Sequence, residues 1–177
     1  MMGKNTLKWT AYIAGGAMAV AFILPYVTRH GGIDGDGGNW QVTTGVNPVD
    51  ELARNTANLS FPNFIDALAV AGDRAEGFEV EVELRAKRGT PTAVWLDRIA
   101  ISAGEMSGIL TVTPPDGLRD GLQKGDTVVF ARTQVRDWVY PDAGRLRGHF
   151  RVRANLRRYT EEQRQRWLTL LHESPTP

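Results

Sequence analysis

The chain has 177 residues, a formal net charge of +1 and no cysteine. That length corresponds to one domain with an appendage, and zero cysteine excludes disulfides, thiolate metal centres, iron–sulfur clusters and cysteine nucleophiles. The balance of 21 Lys+Arg against 20 Asp+Glu argues against a protein built around nucleic acid, while 42% hydrophobic and 23% charged residues are ordinary for a folded chain.

Residues 9–28 carry no charge. As a helix at ~1.5 Å per residue they would span ~30 Å, one bilayer core. The apolar run exits through Leu24-Pro25-Tyr26-Val27-Thr28-Arg29 with no Ala-x-Ala site, which favours an uncleaved signal anchor over a cleaved signal peptide. Lys4 and Lys8 outnumber Arg29 across the span, so residues 1–8 are expected in the cytoplasm and the remainder in the periplasm, as for a single-pass inner-membrane protein. Trp9 and Tyr26 sit at the two interfaces. Ala11, Gly15 and Ala19 form a small-residue stripe through which two such helices could pair as a homodimer.

Residues 29–46 read as a flexible linker, rich in glycine from Gly31 to Gly38. Asp34-x-Asp36 opens like a calcium loop, but the position for its bidentate Glu holds Gly45, so no metal is expected there. The domain then occupies residues 47–173, with 174–177 as a tail. Asn47-Pro48 followed by Asp50 and Glu51 reads as a capped helix start, with Leu52 and Leu59 sharing a face. A second short helix is expected after Ser60, carrying Phe64, Leu68 and Ala71.

Phe78, Val80, Val82, Leu84 and Ala86 alternate with Glu79, Glu81, Glu83, Arg85 and Lys87, the pattern of a half-buried strand. Further strands are expected over 93–101, 106–113 and 127–130, with turns at Gly89-Thr90-Pro91, Lys124-Gly125-Asp126 and 141–144. The most regular alternation runs from Arg145 to Arg157 and predicts a long last strand. Its apolar face holds Leu146, Gly148, Phe150, Val152, Ala154 and Leu156, and its other face is almost wholly cationic. Thr160 and Gln163 form a capping box for a final helix with Trp167, Leu168 and Leu171 as its core stripe. The fold class is α+β: a bent, mostly antiparallel sheet of five to six strands, two short N-terminal helices and one C-terminal helix.

Charge is segregated along the chain. Residues 132–166 carry ten Arg and four acids, and residues 29–131 nine bases and fifteen acids. An arginine face of this kind suits an anionic ligand or an acidic partner. Equally, the Glu79/Glu81/Glu83 strand and the Arg147/Arg151/Arg153 strand can neutralise one another inside the fold. For catalysis the chain offers little: His30 is juxtamembrane, His172 is in the tail, and His149 reads as a solvated strand residue among arginines. Ser107-Gly108 lacks the flanking glycine of a nucleophile elbow, and no glycine-rich loop precedes a helix.

The runs Leu122-Gln-Lys-Gly-Asp-Thr-Val-Val-Phe130, Val135-Arg-Asp-Trp-Val-Tyr140, Gly144-Arg-Leu-Arg-Gly148 and Phe150-Arg-Val-Arg153 resemble the bacterial domain of unknown function 2314. Pro62-Asn-Phe-Ile65, Val94-Trp95-Leu96, Ser107-Gly108 and Tyr159-Thr-Glu-Glu-Gln-Arg164 extend the resemblance over about residues 47–171. One departure is Thr113-Pro114-Pro115, where the family usually places Asn or Asp before a proline. The resemblance implies a small α+β domain with no established chemistry and no cofactor. It points to Asp137, Trp138 and Tyr140, with Lys124, Asp126, Arg147, Arg151 and Arg153 around them, as candidate binding residues, since Trp, Tyr and Arg dominate binding hot spots. Against that, Trp138 can be a core plug and Asp137 a cap or turn acid paired with Lys124 or Arg153. The expected function is non-catalytic binding of an envelope protein or an anionic ligand. An envelope hydrolase with paired carboxylates and a passive tethered domain are the alternatives.

Overall fold

The computed structural model describes residues 47–89, 91–115 and 117–177. The expected membrane anchor, the linker and the Asp34-x-Asp36 loop lie outside the described residues. Among those described, no helix is long and apolar enough to cross a membrane.

Helix α1 (Pro48–Ala71) starts where the sequence places it: the Asn47 side chain accepts the Val49 N–H at 3.1 Å, proline holds the first position and Asp50 and Glu51 the first turn. It does not break at Pro62, so one long helix replaces the two short ones expected. Proline removes the N–H that would bond the Asn58 carbonyl. Arg132 compensates by donating to that carbonyl at 2.9 Å. The core face is Ala53, Ala57, Phe61, Phe64 and Leu68. Leu52 and Leu59 do share a face, but it is the outer one, where they are 69% and 82% exposed.

Six strands follow: β1 (Glu79–Arg85), β2 (Pro91–Ser102), β3 (Glu105–Leu110), β4 (Thr127–Phe130), β5 (Val135–Asp142) and β6 (Arg145–Gly148). They form one antiparallel sheet in the order β4-β3-β2-β1-β5-β6. The β5–β6 hairpin turns on Ala143 and Gly144, both at positive φ, the geometry a two-residue hairpin needs. Val80, Val82, Val94, Leu96, Trp138 and Tyr140 pack with α1 in one core cluster. Glu79 and Glu81 lie on the opposite face, yet both are buried, so β1 is covered on both sides rather than half-buried.

The long last strand is the main correction. Pairing stops at Gly148, and the chain continues as α2 (Phe150–Asn155). Gly148 at φ +81° and His149 at φ +53° are two successive left-handed residues, which turn the chain out of the ladder. The Asp137 carboxylate then receives the Phe150 and Arg151 amides at 3.0 Å each and caps the new helix. Helix α3 (Glu161–Leu170) carries the expected Thr160–Gln163 capping box. In its expected stripe Trp167 and Leu171 are buried, whereas Leu168 is 47% exposed. Val139, Leu146, Trp167 and Leu171 form the second core, beneath the C-terminal elements.

Candidate functional site

Sequence proximity is not spatial proximity for the eight candidate residues. Lys124 and Asp126 sit in the exposed turn before β4, where the Asp126 side chain accepts the Gln123 amide at 2.8 Å. Four strand spacings, ~19 Å, separate β4 from β5 across the sheet. These two residues therefore do not join Asp137–Tyr140, and Lys124 is not the partner of Asp137.

Trp138 is fully buried. Its indole N–H donates to the Ala57 carbonyl of α1 at 3.0 Å, and its ring meets Phe150 edge-on at 5.1 Å and Tyr140 in a stack at 5.7 Å. It is a core plug and presents no binding surface. Asp137 is buried on the opposite face, accepting the amides of Trp138, Phe150 and Arg151. Burial, then repulsion from the facing Glu81, push its carboxyl up to about 7, against the pull of its three backbone donors. Glu81 is likewise raised by burial, opposed chiefly by Arg151, which binds it at 2.6 Å.

The arginines are spent locally. Arg151 serves Glu81, and Arg136 pairs with Glu83. Arg153 donates to the carbonyls of Gly148 at 2.6 Å and Leu146 at 3.2 Å. Arg147 pairs with Asp142 at 2.6 Å and donates to the Ser174 and Thr176 carbonyls. Neutralisation thus occurs inside the fold, but through α2 and the hairpin rather than across two long strands.

His149 is buried rather than solvated, wedged edge-to-face between Trp95 at 5.5 Å and Trp167 at 5.3 Å. Neither imidazole nitrogen has a hydrogen-bond partner among the described residues. Burial and the neighbouring Arg153 and Arg151 lower its pKa to about 3, so the ring is neutral. An unfolded histidine would protonate near 6.5, so between about 3 and 6.5 the unfolded state binds more protons and stability falls as the pH drops. His149→Asn, which tolerates positive φ, removes this dependence. The stability difference between wild type and variant, read from urea unfolding, is expected to shrink as the pH falls through that window. A difference constant with pH would contradict the buried neutral ring.

Tyr140 reaches a concavity. It stacks on Phe78 at 4.9 Å and helps line a cleft of about 700 Å³ between the C-terminal half of α1 and the end of β5. Asn63, Asp66 and Val70 of α1, with Arg74 in the 3-10 turn that follows it, form one wall, and Pro141, Asp142 and Pro177 the other. Burial raises the phenol pKa, with Arg147 opposing, so Tyr140 stays a hydrogen-bond donor. The α1 residues of this wall were not legible as site residues, because in sequence they are an unremarkable polar helix edge.

The model of the bacterial family described as uncharacterized protein conserved in bacteria (DUF2314) matches residues 50–171. The chain belongs to this family. The DUF2314 match includes α1 from Asp50 onward, Asp137, Trp138 and both sides of the cleft apart from Pro177. No curated protein and no solved structure matches the chain.

Proposed function

We propose that this DUF2314 protein is a membrane-tethered, non-catalytic binding module of the bacterial envelope. Residues 9–28 anchor it in the inner membrane, and the domain faces the periplasm and receives a protein partner in the α1–β5 cleft. The anchor rests on the uncharged run and the flanking lysines. The observation that carries the binding reading is the division of the polar groups. Asp137, Glu81 and His149 are sealed between sheet and helices, the two carboxylates committed to holding them together, whereas the cleft is open and mixes apolar walls with Asn63, Asp66, Arg74, Asp142 and Tyr140. With Asp142 already paired to Arg147 and Asp66 set against Arg74, the lining carries no excess positive charge, which suits a protein surface better than an anionic ligand.

The hydrolase reading keeps one specific support, the facing carboxylates of Glu81 and Asp137 on adjacent strands, one of them titrating near neutrality. Both are at most 2% exposed, and Asp137 already accepts three amides, which leaves no approach for a substrate.

The test is cross-linked capture of tagged full-length protein from membranes. Wild type would be compared with Val70→Glu in the cleft wall and Val129→Glu on the distant β4 edge; both sites are exposed, at 80% and 55%. One dominant partner, lost in Val70→Glu and kept in Val129→Glu, is the expected result. Equal capture by all three would overturn the assignment of the cleft.

A further inference from the structure

Strand β6 is an outer strand, and an outer strand exposes unpaired backbone groups. Here its free side is covered by the chain itself. Leu171 makes a parallel bridge to Leu146, the His172 amide donates to the Leu146 carbonyl at 2.9 Å, and the Gly148 amide donates to the Pro175 carbonyl at 2.9 Å. Between those two points the Arg147 guanidinium reaches over the segment to the Ser174 carbonyl at 3.2 Å and to the Thr176 carbonyl, while Asp142 fixes its Nε at 2.6 Å.

The chemistry of this contact is one-sided. From Ser174 onward the segment gives the β6 edge carbonyl oxygens, and β6 supplies the donors. Pro175 and Pro177 have no N–H to give. Residues 173–175 bend as they cross the edge, and a site that reads three successive carbonyls and asks for no donor suits a proline-containing chain whose backbone is already restricted before it binds. The anchoring is shallow: Leu171 is buried, but Glu173, Ser174 and Pro177 are exposed.

We infer that the β6 edge with its Arg147 clamp is a peptide-binding site, occupied in cis by residues 173–177 and open to exchange with a proline-containing segment of a partner protein. The segment's own Pro177 lines the mouth of the α1–β5 cleft, so exchange would also uncover that rim. The inference does not depend on the cleft being the receiving surface; it stands on the β6 contacts alone.

The experiment uses full-length protein and a fluorescent octapeptide of the sequence of residues 170–177. Binding is read by anisotropy to wild type, and to a released variant carrying Ser174→Lys, Pro175→Gly, Thr176→Lys and Pro177→Gly, whose lysines are repelled by Arg147. A third protein adds Arg147→Ala to the released variant. A tethered segment competes at an effective concentration in the millimolar range. The released variant is therefore expected to bind the peptide about tenfold or more tightly than wild type, and Arg147→Ala to abolish that gain. A peptide with both prolines changed to glycine is expected to bind more weakly. No gain on release, a gain that survives Arg147→Ala, or a released variant that no longer folds by circular dichroism would each overturn the inference. The last would make residues 173–177 a structural staple.

Discussion

Trp138→Ala is expected to cost the domain about 3–5 kcal/mol, the range for truncating a large buried aromatic, and so to consume much of the stability of a domain of this size. The cost exceeds that of a simple cavity because the indole works in two ways. Its ring packs against Phe64, Tyr140 and Phe150, tying β5 to α1 and α2. Its N–H is bonded to the Ala57 carbonyl within α1, one residue before Asn58, whose own carbonyl is freed by Pro62 and taken by Arg132. The helix therefore stays continuous through its proline because residues near β5 satisfy this stretch of backbone. Loss of α1 protection in hydrogen exchange together with a lower urea midpoint is the expected signature. A variant with wild-type stability and a selective loss of binding would mean that Trp138 is a recognition residue after all.

Gly148→Ala is expected to be at least as damaging as many core truncations, although it adds only a methyl group. A Cβ on residue 148 would lie 2.0 Å from the Trp138 carbonyl oxygen and 2.6 Å from its Cε3, at a φ of +81°. The obstruction is largely backbone, so no rotamer change relieves it. Left-handed strain of roughly 1–2 kcal/mol adds to overpacking of about 1–3 kcal/mol. Relief requires β6 to move off β5, which also withdraws the Phe150 and Arg151 amides from Asp137. Gly144→Ala is the matched control: it too sits at positive φ, but its Cβ would meet nothing within 4 Å. If the two variants melt alike, the close approach at Gly148 is not what holds the hairpin.

Strand β1 was legible because its apolar residues alternate at period two, and β2 to β4 because glycine or proline turns bound their apolar runs. Both helix starts were legible because Asn47 and Thr160 announce themselves as caps. The run from Arg145 to Arg157 misled because alternation is also what a short strand followed by a short helix can show. The deciding groups, two consecutive left-handed residues and a capping acid thirteen positions earlier, lie outside any local pattern. Pro62 misled for the same reason: the group that compensates for it, Arg132, is seventy-four residues from the Asn58 carbonyl that it serves. At the candidate site, residue type pointed to Asp137, Trp138 and Arg151, but type does not report burial. The structure turns Asp137 and Trp138 inward as the joint between sheet and helices, spends the half-exposed Arg151 on Glu81, and leaves Tyr140 at the cleft.

The most direct test is hydrogen exchange on the full-length protein, free and cross-linked to the partner captured from membranes. New protection is expected over residues 63–74 and 141–142, with residues 135–139 already protected in the free protein and unchanged. Protection gained instead over the 123–130 turn and strand, or over the outer arginines Arg157 and Arg158, would contradict a partner-receiving cleft and return the binding surface to the charged face.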